Sequence, residues 1–547
     1  MYDYVIVGAG SAGCVLASRL TENPDSRVLL LEAGPPDTAD EIHIPAAVST
    51  LFKSTFDWDY QTEPQSRAGG RPIYWPRGRV LGGSSSINAM IYIRGSRYDY
   101  DTWRDEYGCS GWGYTDLMPY FLRAEGNSRG ESAFHGATGP LSVQDLRYKS
   151  SLTGAFVAAA QASGMPANDD FNGLRQDGVG YYQVTQRGGR RWSAADAYLH
   201  PAAERPNLTV LTDALVTAVE IEGGRAIGVR YLHRGAEEFA VADAEIILAC
   251  GAIGSPQLLM LSGVGPADHL REHNIPVMAD SPGVGGNLSD HPVVTAMWST
   301  PRTRGLWEKA GPRNLARWQL THAGPMATNV AEAGGFTRTD PELPAPDIQW
   351  HVLPVPFQNA GLTDPSFRAL SVLITLIAPG SRGRIHLRSA DPRHKPLIDP
   401  AYLSDISDLD PLLRAIGLAR EFAAAKAMSK VCDVELAPGP ELRGDADLSE
   451  WIRNELTTLY HPVGTCAMGG DSLLAASKLT SVVDTELRVR GVDRLRVVDA
   501  SVMPTVTRGN TNAPTIAIAE RAADLIGGRA PLAAMDPAQL TLAAAPS

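Results

Sequence analysis

The chain has 547 residues, 44% hydrophobic and 20% charged, a balance that supplies more than one core and excludes intrinsic disorder and coiled coil. Its 49 basic and 61 acidic residues give a net charge of −12 with no block of like charges, which excludes a nucleic-acid footprint and makes anionic lipids poor partners by overall electrostatics. Five cysteines without a CxxC pair (Cys14, Cys109, Cys250, Cys432, Cys466) exclude a disulfide framework and a zinc ribbon, and no metal is expected.

In chain order, residues 4–7 (YVIV) form a short apolar run suited to a buried parallel strand. Gly8, Gly10 and Gly13 follow in GAGSAG, then helical spacing over 14–20, then an apolar run at 27–31 ending on Glu32, 19 residues beyond the last glycine. In such a strand–GxGxxG–helix–strand unit Gly8 permits the tight turn, Gly10 lets backbone approach a pyrophosphate, and Gly13 lets the helix pack on the strand. The helix N-terminus offers unpaired N–H groups to phosphates, and Glu32 suits a ribose diol. An adenine dinucleotide is expected here, with FAD and NAD both open on this unit alone. No basic segment with an apolar run precedes the strand, so no cleaved leader is expected, and no stretch of 18 apolar residues predicts a membrane span.

Residues 38–80 read as irregular and rich in Pro, Trp and Tyr, and 78–88 (GRVLGGSSSIN) as a second small-residue loop that admits close backbone approach. Strands are expected at 208–211, 216–221, 245–249 and 495–499, a turn and helix at 251–260, an amphipathic stretch at 410–426, and a helix at 514–526 with Pro at its start. Asn512, two residues before Pro514, is the expected helix cap. The Ala- and Pro-biased tail, 531–547, is expected to be disordered.

Four segments together resemble the glucose–methanol–choline (GMC) family of FAD-dependent oxidoreductases: the N-terminal unit, the 78–88 loop, 251–265 (GAIGSPQLLMLSGVG) and 461–526. The string 460–466 (YHPVGTC) is similar to the branch that holds bacterial aliphatic alcohol dehydrogenases and choline dehydrogenases. The resemblance implies an α/β fold. A Rossmann-like FAD-binding domain is assembled from the discontinuous segments 1–150, 200–300 and 480–530. An α+β substrate domain with an antiparallel sheet comes from 151–199 and 301–479. It further implies cofactor contacts at Gly8, Gly10, Gly13, Glu32, Val80, Gly83, Asn88, Ala89, Met90, Ile91, Val216, Asp499, Ala500 and Thr511. Some members attach FAD through a His that corresponds here to Ile87, so FAD is expected to be non-covalent.

Oxidising an alcohol removes a hydroxyl proton and an α-hydride, and the protein must take the proton with a base near neutrality. The resemblance places His461 as that base and Asn510 as its partner, which orients the substrate oxygen without accepting a proton. His351, Glu332 and Trp350 are the expected substrate-binding residues, and Met326, Val352, Leu353 and Phe357 are candidates for an apolar wall. The expected activity is oxidation of a primary alcohol to an aldehyde, with electrons passed to a quinone or another acceptor. An oxidase using oxygen, a choline dehydrogenase and, more remotely, a non-redox lyase remain open. No GxSxG elbow follows a strand, which argues against a serine hydrolase. The expected location is cytoplasmic, extending to peripheral association with the inner membrane.

Overall fold

A computed structural model describes residues 1–536 and residue 538. Its first seven-stranded sheet runs Leu208–Leu211, Val28–Leu31, Tyr2–Val7, Ala236–Leu248, Arg225–His233, Ala214–Glu222, with Leu495–Val497 paired to the last three residues of the long strand. The central pairs are parallel: Tyr4 faces Val28 and Ile246 lies beside both Val5 and Leu495. Val28–Leu31 is buried throughout, which is why it reads as a continuous apolar run rather than an alternating one. The strand Ala236–Leu248 changes role along its length. Its first half closes an antiparallel hairpin with Arg225–His233, and its second half enters the parallel sheet.

Two glycines make the first turn. Gly8 has φ +98°, and a Cβ there would lie 2.6 Å from the Ala249 carbonyl oxygen. A Cβ on Gly13 would lie 1.9 Å from the Gly8 carbonyl oxygen, so the helix Ser11–Leu20 packs on its strand only because Gly13 has none. That helix also packs along Asn512–Ile526.

The second seven-stranded sheet is antiparallel, in the order Glu435–Ala437, Pro292–Ser299, Ala369–Leu376, Ile348–Leu353, Ala333–Thr337, Gly178–Tyr181, with Thr457–Thr458 also paired to Pro292–Ser299. Ile348–Leu353 and Ala369–Leu376 are buried at every position. The helix Leu409–Ala424 covers one face, buried along Leu412, Ala415, Ile416, Ala419 and Phe422, as the amphipathic spacing of 410–426 predicts. Pro292–Ser299 belongs to this sheet, although the expected boundary falls at 300: the chain crosses between the sheets just before Pro292.

The beginning of the expected disordered tail is ordered. Leu532 N donates to Tyr120 Oη at 3.0 Å and Met535 N to the Thr115 carbonyl at 3.0 Å, so backbone donors tie it to the helix Tyr114–Ala124; residue 537 and residues 539–547 lie outside the described residues. Among the described residues no helix is long and apolar enough to cross a membrane.

Candidate functional site

A cavity of about 670 Å³ opens at the ends of the parallel strands and extends beneath the antiparallel sheet. The helices Ser11–Leu20, Gly251–Leu261 and Asn512–Ile526 all present their N-terminal residues to it, and none has an acidic residue in its first turn. Unpaired N–H groups and like-oriented dipoles make this convergence a place for an anion. A Cβ on Gly251 would meet nothing within 4 Å, and one on Gly10 nothing nearer than 3.9 Å, so the free space begins at the backbone itself. Asp499 fixes the second of these helix starts, accepting from Gly251 N at 2.9 Å, Ser255 Oγ at 2.5 Å and Ser501 N at 2.8 Å. At the far end Glu32 accepts from Ala9 N at 2.8 Å and Gly34 N at 2.9 Å, and burial lifts its pKa to about 7. Val216 and Ala500 line the same space. These residues fit an adenine dinucleotide: an anion-attracting centre with a carboxyl group at one side.

Asn88, Ala89, Met90 and Ile91 line the middle of the cavity beside Gly83 and Ile87. This loop is held from behind. The buried Arg191 donates through Nη1 to the Asn88 carbonyl at 2.7 Å, Asn88 Oδ1 at 2.9 Å and the Ser85 carbonyl at 3.1 Å, and through Nε to the Ile42 carbonyl at 2.7 Å. Desolvation lowers its pKa to about 9. Asn88 Oδ1 also accepts from Met90 N at 2.9 Å, which holds Met90 at φ +58°, and Asn329 Nδ2 donates to the Ala89 carbonyl at 3.0 Å. Neither Arg191 nor Asn329 has a local sequence signal. Both are recognised only by what they reach.

His461 and Asn510 meet at the edge of this region, with Asn510 Nδ2 at 3.3 Å from His461 Nε2 and Asn510 Oδ1 accepting from Gln349 Nε2 at 3.1 Å. In this amide orientation the N–H donates, so Nε2 carries a lone pair and the imidazole proton sits on Nδ1. Nδ1 lies 3.0 Å from Nδ1 of His291, which accepts that proton's hydrogen bond. Asp290 anchors the backbone: its carboxylate accepts from His461 N at 2.7 Å, from Thr458 Oγ1 at 2.5 Å and from the Tyr402 hydroxyl. Burial is the first cause that pushes His461 well below the ordinary histidine range, and it takes His291 and His351 down to about 3. The imidazole facing the cavity is therefore neutral at pH 7 and ready to accept a proton. Asp290 and His291 were not anticipated from the sequence.

The other expected residues divide. In the strand Ile348–Leu353 alternate side chains face opposite ways. His351 and Leu353 line the cavity, whereas Trp350 points away, stacks edge-on against Phe422 and donates Nε1 to Thr337 Oγ1 at 2.9 Å. Trp350 and Val352 are thus core rather than substrate wall, and Met326, Leu353 and Phe357 supply the apolar lining. Glu332 is also turned away: it is buried and accepts from Ser150 N at 2.6 Å, Thr153 Oγ1 at 2.7 Å and Thr328 Oγ1 at 2.7 Å. Val80 sits behind the loop, packed with Ile42, Leu51 and Ile87. Thr511 lines the cavity, but Asn512 does not cap its helix; it accepts from Ser11 Oγ at 2.7 Å instead.

A parallel sheet with its dinucleotide cradle, joined to an antiparallel sheet that brings a neutral histidine to the same cavity, defines a nucleotide-dependent oxidoreductase. The N-terminal and C-terminal signatures of the GMC oxidoreductases match residues 2–293 and 379–519, and the chain belongs to that family. It is 45% identical over 545 residues to an alcohol dehydrogenase (acceptor) from Pseudomonas putida, covering 98% of this chain and 97% of that one. It is likewise 45% identical over 540 residues to the mitochondrial choline dehydrogenase of Homo sapiens, covering 96% and 90%. The crystal structure of pyridoxine 4-oxidase from Mesorbium loti superposes with a TM-score of 0.88 at 34% identity, over 97% of this chain and 100% of that one.

Proposed function

We propose that the chain is an FAD-dependent alcohol dehydrogenase that oxidises an apolar primary alcohol to its aldehyde and passes the electrons to a quinone or a similar acceptor. The observation that carries this reading is the pair His461 Nε2 and Asn510 Nδ2, 3.3 Å apart on the wall of a cavity whose other end is a dinucleotide cradle. Bound FAD supplies the hydride acceptor. Asn510 donates to the substrate oxygen and His461 Nε2 removes the hydroxyl proton. The resulting imidazolium is stabilised through Nδ1 by His291 and held in place by Asp290 through the backbone. Gly10, Gly83, Asn88, Asp499 and Thr511 are the residues assigned to cofactor binding, with Ile87 leaving FAD non-covalent.

The wall favours a neutral substrate over choline. Met326, Leu353 and Phe357 offer no charge, and the carboxylate of Glu332 is outside the cavity lining and already satisfied by three donors. An oxygen-using oxidase is the second reading, since pyridoxine 4-oxidase shares the fold. Anaerobic addition of a medium-chain alcohol to the holoenzyme should bleach its visible flavin band, with turnover sustained by a quinone analogue. Failure to bleach overturns the reading, choline bleaching faster overturns the substrate class, and full-rate peroxide formation in air assigns an oxidase.

A further inference from the structure

The helix Pro312–Thr321 lies over the cavity. Its inner face carries Leu315 and Trp318, packed against Met326 and Ala47, and both of these line the cavity. Its outer face carries Arg313 and Arg317 at i and i+4, with Leu320 one further turn on and 86% exposed. The surface around this helix continues the same character. Arg190 lies over the Trp318 ring at 5.9 Å, Arg147 donates to the Gly188 carbonyl at 2.8 Å, and Lys309 Nζ reaches Tyr148 Oη at 3.2 Å. Among the described residues none of these five basic side chains is ion-paired with a carboxylate, whereas nearby Glu308 is neutralised by a two-bond contact with Arg368 at 2.7 and 2.8 Å. Asp364 also lines the cavity. Trp307, 37% exposed, lines the cavity where it meets this surface.

We propose that this basic face, centred on Arg313, Arg317 and Leu320, docks on an anionic lipid surface and sets the cavity mouth against it. The inference rests on the reading of the cavity as a site for an apolar alcohol. Unpaired cations gathered on one face of a chain with net charge −12 make that face attractive to an anionic partner. The apolar side chains set among them select the partner: Leu320 and Trp307 gain by entering the boundary between headgroups and acyl chains while arginines remain at the phosphates. An acidic soluble protein would use the charges and leave Leu320 without a role. The net charge of the whole chain, which argues against anionic lipids, averages this patch away. Docking in this orientation lets an apolar alcohol and an apolar electron acceptor enter from the bilayer, where both are concentrated.

The test is sedimentation of the FAD-loaded enzyme with vesicles of phosphatidylcholine alone or mixed with phosphatidylglycerol, at low and high salt. Wild type should follow the anionic vesicles at low salt and leave them at high salt. The double variant Arg313→Glu/Arg317→Glu should bind more than about tenfold more weakly, and Leu320→Ser should weaken binding in a salt-insensitive way. Turnover of a short, water-soluble alcohol with a soluble dye should be unchanged in both, because none of the three residues lines the cavity. Absence of binding to anionic vesicles, equal binding to neutral ones, or wild-type binding by the double variant overturns the proposal. Intact vesicle binding without any alcohol-dependent bleaching would instead refute the functional reading on which it stands.

Discussion

Replacing Asp290 separates the positioning of the base from its chemistry. Asp290 is 4% exposed and its carboxylate accepts from His461 N, Thr458 Oγ1 and the Tyr402 hydroxyl, one of them the backbone of the proposed base. In Asp290→Ala all three donors lose their partner. Each bond to a charged acceptor is worth about 1.5–3 kcal/mol, but removing the carboxylate also relieves its desolvation, so the expected net loss is about 3–5 kcal/mol. The freed His461 backbone should also shift, and a misplacement of about 1 Å costs about 100-fold in rate. Asp290→Asn behaves differently. Its amide oxygen still accepts from His461 N, and its NH₂ group donates to the two hydroxyls, which turn from donors into acceptors. That variant should lose about 1 kcal/mol and stay within about tenfold of the wild-type rate. The assays are thermal melting of the FAD-loaded protein and stopped-flow anaerobic reduction by a saturating alcohol. An Asp290→Ala protein that melts early yet reduces at the wild-type rate refutes the positioning role. An Asp290→Asn protein as slow as the alanine variant shows that the charge, not the hydrogen-bond geometry, is what matters.

Four further outcomes are expected. His461→Ala should retain FAD and reduce about 10²–10⁴-fold more slowly, with Asn510→Ala losing less because it removes orientation rather than proton acceptance; equal losses in stopped-flow reduction would contradict that division. With the His461 pKa depressed by burial, the reduction rate should stay flat as pH falls through about 6.5 and decline only below it, since the active form is the neutral one; an inflection at or above that value in the rate profile refutes the assignment. His291, His351 and His461 are all depressed, so unfolding by acid should set in as pH drops below their unfolded pKa, where the unfolded chain binds protons the folded chain refuses, and melting temperature against pH reads this directly. Acid precipitation should leave the flavin in the supernatant, and flavin retained on the pellet would contradict a non-covalent site at Ile87.

The parts legible in the sequence are those whose meaning is local. Gly8, Gly10, Gly13 and Glu32 sit within one supersecondary unit, and the strand at 28–31 carries its burial in its own composition. His461 and Asn510 are recognisable through motif resemblance and meet across 49 residues of chain. His291, Asp290, Arg191 and Gln349 are ordinary residues whose importance comes from a distant partner, 170 residues away for His291 and His461. Arg191 sits in a doublet with Arg190 that reads as solvated charge, yet one of the pair is buried and the other lies over Trp318. Trp350 and Glu332 show the converse. The residue type was right for a binding role, but strand alternation sent Trp350 to the core and three local donors captured Glu332. Period-2 reading of 348–353 separates His351 from Trp350 once the strand is known, but not which face is the cavity.

The pairing of the two ends of the chain has a consequence for biosynthesis. Ser11 Oγ donates to Asn512 Oδ1 and Arg19 is held by Glu520, contacts each spanning 501 residues, while Leu495–Val497 pairs beside Ala236–Leu248. On the ribosome the first strand and its glycine turn emerge well before the helix that completes their cradle, since Ser11 and its partner Asn512 are 501 residues apart. At about 5–20 residues per second that delay is on the order of half a minute to two minutes. Through that interval the apolar side of Ser11–Leu20 lacks its permanent cover, and uncovered apolar surface of this kind favours aggregation. The cavity is complete only once the Asn512–Ile526 helix has been made, so supply of FAD during expression should raise the yield of soluble enzyme by trapping completed chains rather than by assisting the early unit.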